Sequence, residues 1–192
     1  MAQVDPAAEP QRPLPPVDTR IEQLPKLGAF EVRPPSPADH EAYCAFAAKL
    51  EREDLRLRFA GLVKLDCADL RTQLLAIDHA QHEALAAFAG GEMLAIAHLV
   101  RTAPATAEFA LIVRSDLKRH GLGRVLLERL VDHACRLGLR ALTAQILGEN
   151  LPMLRLAREA GFRSVGRSGF LVDMAKDLRC RDDAFAAPTD AA

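Results

Sequence analysis

The sequence has no tryptophan and a single tyrosine, Tyr43, and aromatic residues make up only 5% of its 192 positions. A mechanism that needs a phenol as proton donor therefore has one candidate. The four cysteines, Cys44, Cys67, Cys135 and Cys180, are scattered and form no Cys-x-x-Cys pair. That spacing argues against a structural zinc site or a disulfide framework, so they are read as buried thiols acting as small hydrophobes. The nearest approach to a metal pair, His79-Ala-Gln-His82, has neither helical i, i+4 spacing nor a further ligand, and no metal is expected. Charge of one sign is also lacking: the net charge is −1, so there is no field to hold nucleic acid or an anionic membrane. No apolar run approaches the roughly 18 residues of a membrane span. No basic segment leads into an apolar one as in a secretory signal. A cytoplasmic protein without nucleic-acid or membrane partners is expected.

Hydrophobic residues make up 49% of the chain and charged residues 27%, the balance of a globular domain. Nine of the twelve prolines fall within the first 37 residues. Residues 1–28 are poor in branched hydrophobics, and they read as a disordered proline-rich tail. Residues 179–192 read as a flexible C-terminal tail, which leaves one domain over 29–178. Within it, Phe30–Arg33 is a short strand, and Ser36 with Pro37 opens a helix running toward Leu50. A second helix fits Asp66–Ile77. Strands follow over His82–Ala89, Met93–Arg101 and Thr106–Arg114, the first two joined at Gly90-Gly91. Arg124–Leu137 is the strongest helix, with Leu127, Leu130, Val131 and Ala134 on one face and Gly138 closing it. Ala141–Leu147 is a strand, Asn150 caps a short helix ending at Gly161, and Phe162–Arg167 and Phe170–Met174 finish as strands. This order predicts an α+β (mixed α/β) fold: a mostly antiparallel sheet of about seven strands with one βαβ crossover.

The chemistry concentrates between Ala107 and Arg124. A strand there runs through Lys118-Arg119-His120-Gly121-Leu122-Gly123 into the N-terminus of the best helix. Amides of a first helical turn have no intrahelical partner, and with the helix dipole they make an anion site. Gly121 and Gly123 let a phosphate approach the backbone, and Lys118, Arg119, His120 and Arg124 add positive charge. The P-loop pattern is absent, and so is G-x-G-x-x-G, since Leu126 stands at its last position. The second feature is Glu108. It shares a strand face with Ala110, Ile112 and Arg114, while Phe109, Leu111 and Val113 occupy the other. A lone acid in an apolar strand suggests a carboxylate projecting into a cleft beside the anion site.

The stretch from Glu108 to Phe162 resembles the acyl-CoA-binding core of the GNAT superfamily of N-acyltransferases, and the element order is similar over residues 29–176. Lys118-Arg119-His120-Gly121-Leu122-Gly123 stands where that family has Gln/Arg-x-x-Gly-x-Gly/Ala. Asn150 with Ala160-Gly161-Phe162 is similar to its Asn-headed helix ending in Gly-Phe. Leu55-Arg56-Leu57-Arg58-Phe59, Ala107-Glu108-Phe109-Ala110 and Val113-Arg114-Ser115-Asp116-Leu117 resemble bacterial Pat-type protein lysine acetyltransferases.

The resemblance implies a GNAT fold whose splayed strand pair holds acetyl-CoA as cosubstrate. The backbone of Ile112 and Val113 would take the pantetheine amides, Arg119 to Arg124 the pyrophosphate, with Lys118 beside them, and Asn150 the cofactor arm. Glu108 would be the general base for direct attack by an amine, with the Val113 N–H on the oxyanion. It further implies a protein lysine as acceptor, with an acyl-CoA synthetase as the target class. The alternatives are a small-molecule amine acceptor or a non-catalytic acyl-CoA-sensing module, and a homodimer stays open. Three positions depart from the superfamily pattern: Lys118, Arg119 at a position often Gly, and Ala157 where many members carry a tyrosine acid.

Overall fold

Sheet formation begins before the expected domain. In the computed structural model, which describes residues 19–60, 77–78 and 81–179, strand β1 is Arg20–Leu24, inside the stretch read as tail. It pairs antiparallel with β2, Gly28–Arg33. The chain between them turns tightly, with the Leu27 amide donating to the Leu24 carbonyl. Proline and charge hid this edge hairpin: β1 buries little, and only Phe30 and Val32 of β2 reach the core.

The centre of the sheet is β3 (His82–Ala89), β4 (Glu92–Ala103) and β5 (Thr106–Val113). β3 and most of β4 are buried on both faces, which is why they read as continuous apolar runs rather than alternating ones. β6 (Ala141–Leu147), β7 (Arg163–Ser168) and β8 (Leu171–Asp177) complete eight strands, one more than expected, in the order β1-β2-β3-β4-β5-β6-β8-β7. Every neighbour pair is antiparallel except β5–β6.

Helices cover both faces. On one, α1 (His40–Ala48), entered through a 3-10 turn at Pro37–Asp39, packs Tyr43 and Phe46 on Ala84, Ala86, Ile96 and Ile112. On the other, α3 (Leu122–Arg136) and α4 (Leu151–Glu159) bury Leu126, Leu127, Leu130, Leu154 and Ala157 against Leu85, Leu99 and Phe109.

Between these lies α2 (Arg52–Phe59), which belongs to the face of α1. Its sequence, Arg-Glu-Asp-Leu-Arg-Leu-Arg-Phe, carries too much charge to read as an amphipathic helix. The charges nevertheless suit one: Glu53 and Asp54 sit in the first turn, Arg56 and Arg58 in the last. The helix expected over Asp66–Ile77 lies outside the described residues except Ile77, which is not helical. Cys44 and Cys135 are half-buried and both disulfide-bonded, contrary to the free thiols expected; spacing along a chain does not report which sulfurs meet in space. Cys67 and Cys180 lie outside the described residues. Among the described residues no helix is long and apolar enough to cross a membrane.

Candidate active site

The site forms where the sheet opens. β5 and β6 pair over only three positions, Thr106↔Ala141, Ala107↔Leu142 and Glu108↔Thr143, and then part. β5 continues on β4 as far as Ala95↔Val113, and β6 continues on β8 as far as Leu147↔Leu171. Each strand thus keeps its outer partner, and a wedge opens between them. The Arg114 amide donates to the Leu94 carbonyl at 2.9 Å. By strand alternation, the N–H and C=O of Ile112 also turn to β4, while those of Leu111 and Val113 turn into the wedge. The expected pair Ile112 and Val113 is therefore split. Val113 faces the gap, whereas Ile112 has its side chain buried under α1 and its peptide groups toward β4.

The wedge ends at the loop leading into α3. Among the described residues, none of the five amides from Arg119 to Gly123 is bonded to another backbone group. Intrahelical bonding starts with the Arg124 and Val125 amides, both donating to the Gly121 carbonyl, so Arg124 offers no free amide. Consecutive unbonded amides at a helix N-terminus are an anion-binding nest. Two backbone features shape it. Gly121 has φ +94°, and Arg119 adopts φ +61°, in the left-handed region that favours glycine. Gly123 lies against the wedge: a Cβ there would be 3.3 Å from Leu156, 3.5 Å from Leu111 and 3.7 Å from Val113.

The cations expected around this nest differ in their availability. Lys118 is bonded to the buried carboxylate of Asp54 on α2, which also accepts from the Ser115 hydroxyl. Arg124 is paired with Glu159 at 3.3 Å and Glu128 at 3.8 Å. Arg119 is exposed and makes no ion pair among the described residues. His120 is half-buried, with Nδ1 unpartnered among the described residues. Asn150 caps α4, its side chain accepting from the Met153 amide at 3.2 Å. These nest and wedge features suit a cofactor with a pyrophosphate and an extended amide-bearing arm.

Glu108 stands at the point of divergence, on the sheet face opposite α3. It is half-buried and makes no hydrogen bond among the described residues. A cleft of about 260 Å³ opens in front of it, walled by Arg58 of α2, His82 of β3, His98, Val100 and Thr102 of β4, and Ala110. The register builds this wall: His82 lies opposite Val100, and Val100 opposite Glu108, so one row of side chains crosses three strands. His98 sits one pair further along, fully buried, its Nδ1 2.8 Å from Nε2 of His82 and its Nε2 without a partner among the described residues. Burial, then the nearby Arg58 and His82, hold its imidazole well below its usual pKa, so it is neutral. No group of three or more metal-ligating side chains occurs among the described residues; His79 lies outside them.

Tyr43 and Ala157 are both fully buried, on opposite faces of the sheet. Burial also pushes the Tyr43 phenol far above its usual range. No tyrosine is therefore placed to act as an acid. Sequence reasoning did not find Arg58 as a wall of this cleft, nor Asp54, His98 or Leu111. A lone histidine within the apolar run of β4 and the Asp54/Arg58 spacing of i, i+4 were the available signals.

Comparison with known proteins agrees with this architecture. The GNAT domain of S. lividans PAT superposes with a TM-score of 0.76 at 26% identity, covering 83% of this chain and 97% of that one. A structure from Salmonella typhimurium with its cofactor acetyl-CoA shares the fold, with TM-score 0.62, 24% identity and coverage of 84% and 99%. A cAMP-binding acyltransferase from Mycobacterium smegmatis matches over 47% of its length, with 83% of this chain covered, at 26% identity and TM-score 0.57. The match to the acetyltransferase (GNAT) family spans residues 40–162, from the first helix to the end of the Asn-capped one. With wedge, nest and fold in agreement, the chain belongs to the GNAT family of acetyltransferases, whose acetyl donor is acetyl-CoA.

Proposed function

We propose that the protein transfers an acetyl group to the side-chain amine of a protein lysine by direct attack, with Glu108 as general base. The observation that carries this reading is a carboxylate without a hydrogen bond, in a cleft at the point where β5 leaves β6. A lysine with pKa near 10.4 is neutral in only about one molecule in a few thousand at pH 7, so the attacking amine must lose a proton. Glu108 accepts it, directly or through a water. The amides from Arg119 to Gly123 hold the pyrophosphate, and main-chain groups of Leu111 and Val113 bond the extended arm. The Val113 N–H is the donor for the carbonyl oxygen under attack. Acetyl-CoA supplies an activated thioester with a good leaving group. With Tyr43 buried and Ala157 on the capped helix, the thiolate departs without a side-chain acid.

Two features support a protein acceptor: the Pat-type pieces at Leu55–Phe59 and Ala107–Leu117, and the likeness to the S. lividans PAT domain. An acyl-CoA synthetase is the target class that the resemblance implies. The cleft carries Arg58 as well as Glu108, which disfavours a polyamine. Incubation with labelled acetyl-CoA and cell lysate tests the reading. Label is expected in macromolecules, on lysine side chains; label confined to the small-molecule fraction would reverse it in favour of a small amine.

A further inference from the structure

Among the described residues, Arg58 is the one charged group besides Glu108 in the wall of the cleft, and Glu108 acts on it only from beyond ion-pair distance. The guanidinium makes no hydrogen bond or ion pair among the described residues, and its Nε is buried without a partner. Its closest ring contact is with its own neighbour, Phe59, at 4.8 Å. Other partly buried arginines are satisfied: Arg33 by Asp39, Arg114 by Glu92 and Asp116, Arg129 by Glu22. Burying a guanidinium without hydrogen-bonded partners is costly, and the longer-range attraction of Glu108 does not supply them, so a partner that arrives with the substrate is the simplest explanation.

The setting keeps Arg58 available. α2 is anchored on one side by Asp54 to Ser115 and Lys118, and on the other by Arg56, which donates to Glu149 at 2.6 Å. Arg58, one turn after Asp54, is thereby directed at the sheet. The groups that face it are Glu108 from β5, the neutral His98 from β4, His82 from β3 and the buried Tyr43 from α1. Burial lowers the Arg58 pKa to about 10, opposed by Glu108 and Tyr43, so it remains a cation at neutral pH. The cleft thus offers one carboxylate and one guanidinium, with the neutral His98 and the side chains of Val100, Thr102 and Ala110 around them.

We infer that Arg58 binds a carboxylate carried by the acceptor, on the side of the amine away from Glu108. Building on the protein-lysine reading, the preferred target is a lysine with an aspartate or glutamate close by. A planar guanidinium accommodates a carboxylate through two parallel N–H···O bonds, which a backbone carbonyl cannot match. An acceptor bearing both charges would satisfy Arg58 and Glu108 together, whereas a purely cationic one would bring its ammonium up to an unpaired arginine.

The test uses nine-residue peptides with a central lysine, carrying glutamate or glutamine at the two positions on either side, with kcat/KM read from thiol release. A hydrogen-bonded charge contact corresponds to about ten- to a hundredfold, so the best glutamate peptide should exceed its glutamine twin by that factor. In Arg58→Gln the ratio should fall to about one, and in Arg58→Glu a lysine-flanked peptide should become the better acceptor. Thermal stabilisation by acetyl-CoA in each variant verifies that it is folded. Equal rates for glutamate and glutamine peptides in the wild type, or an unchanged ratio in Arg58→Gln, would overturn the assignment and leave the protein-lysine reading standing. If free amino acids are acetylated, dependent on Arg58, while every peptide is refused, the carboxylate site holds and the protein-lysine reading fails.

Discussion

Replacing Glu108 by glutamine isolates the base. The side chain is half-buried and makes no hydrogen bond among the described residues, so an isosteric amide removes the charge without breaking a hydrogen bond there, although Arg58 loses the opposite charge that faces it. The expected loss at pH 7 is about 10²–10⁴-fold in kcat, the usual contribution of a positioned base. Its pH dependence is the sharper signature. Without Glu108 the variant draws on acceptor that has already lost its proton, and that fraction rises about tenfold per pH unit until pH nears 10.4. The wild type can use the protonated amine and gains much less. The gap should therefore close by about two orders of magnitude between pH 7 and pH 9. Initial rates of thiol release at saturating acetyl-CoA, with a lysine peptide as acceptor, measure it. A fully active variant, or a gap of constant size from pH 7 to 9, refutes the assignment. Loss of acetyl-CoA binding would mean that the substitution acted on the fold rather than on the proton.

Three further outcomes follow from the contacts described. Asp54→Ala strips the buried partner of Ser115 and Lys118, with an expected cost of about 1–3 kcal/mol; a melting temperature equal to wild type would show that α2 is not held there. Acetyl-CoA at a hundred times its Kd should stabilise the protein by about 2.7 kcal/mol, and calorimetry that finds no shift would remove the nest between Arg119 and Gly123 as its site. The hydrogen-bonded Arg33 depresses the Asp39 carboxyl to about 2. Because the folded pKa lies below the unfolded one, this contribution is complete above about pH 4 and fades as pH falls toward about 2. The stability difference between wild type and Asp39→Asn, measured by urea unfolding, should shrink over that window; a difference independent of pH would contradict it.

Local physics explains which parts were legible. The apolar spacing of Leu127, Leu130 and Ala134 reported α3, the capping chemistry of Asn150 reported α4, and the double burial of β3 and β4 appeared as continuous apolar runs. The nest was readable as well, because free amides at Gly121-Leu122-Gly123 follow from any helix starting there. α2 leaves no apolar periodicity to read, because its stability comes from charges matched to the helix ends and from Asp54 and Arg56 reaching residues far along the chain. β1 escaped for a similar reason, since an exposed edge strand depends on pairing with β2 rather than on its own pattern.

The sequence by itself determined the family, the mostly antiparallel sheet, Glu108 as the candidate base and the absence of a tyrosine at Ala157, since each is carried by short motifs, by the order of elements along the chain or by the identity of one position. Tertiary structure decided which groups are free to act. It turned the peptide groups of Leu111 and Val113, not Ile112, into the wedge, because β4 had claimed the alternate positions. It tied Lys118 to Asp54, buried Tyr43, and left Arg58 facing Glu108 without a hydrogen-bonded partner among the described residues. Availability depends on which partners long-range packing brings within reach, and spacing along one chain carries no record of that.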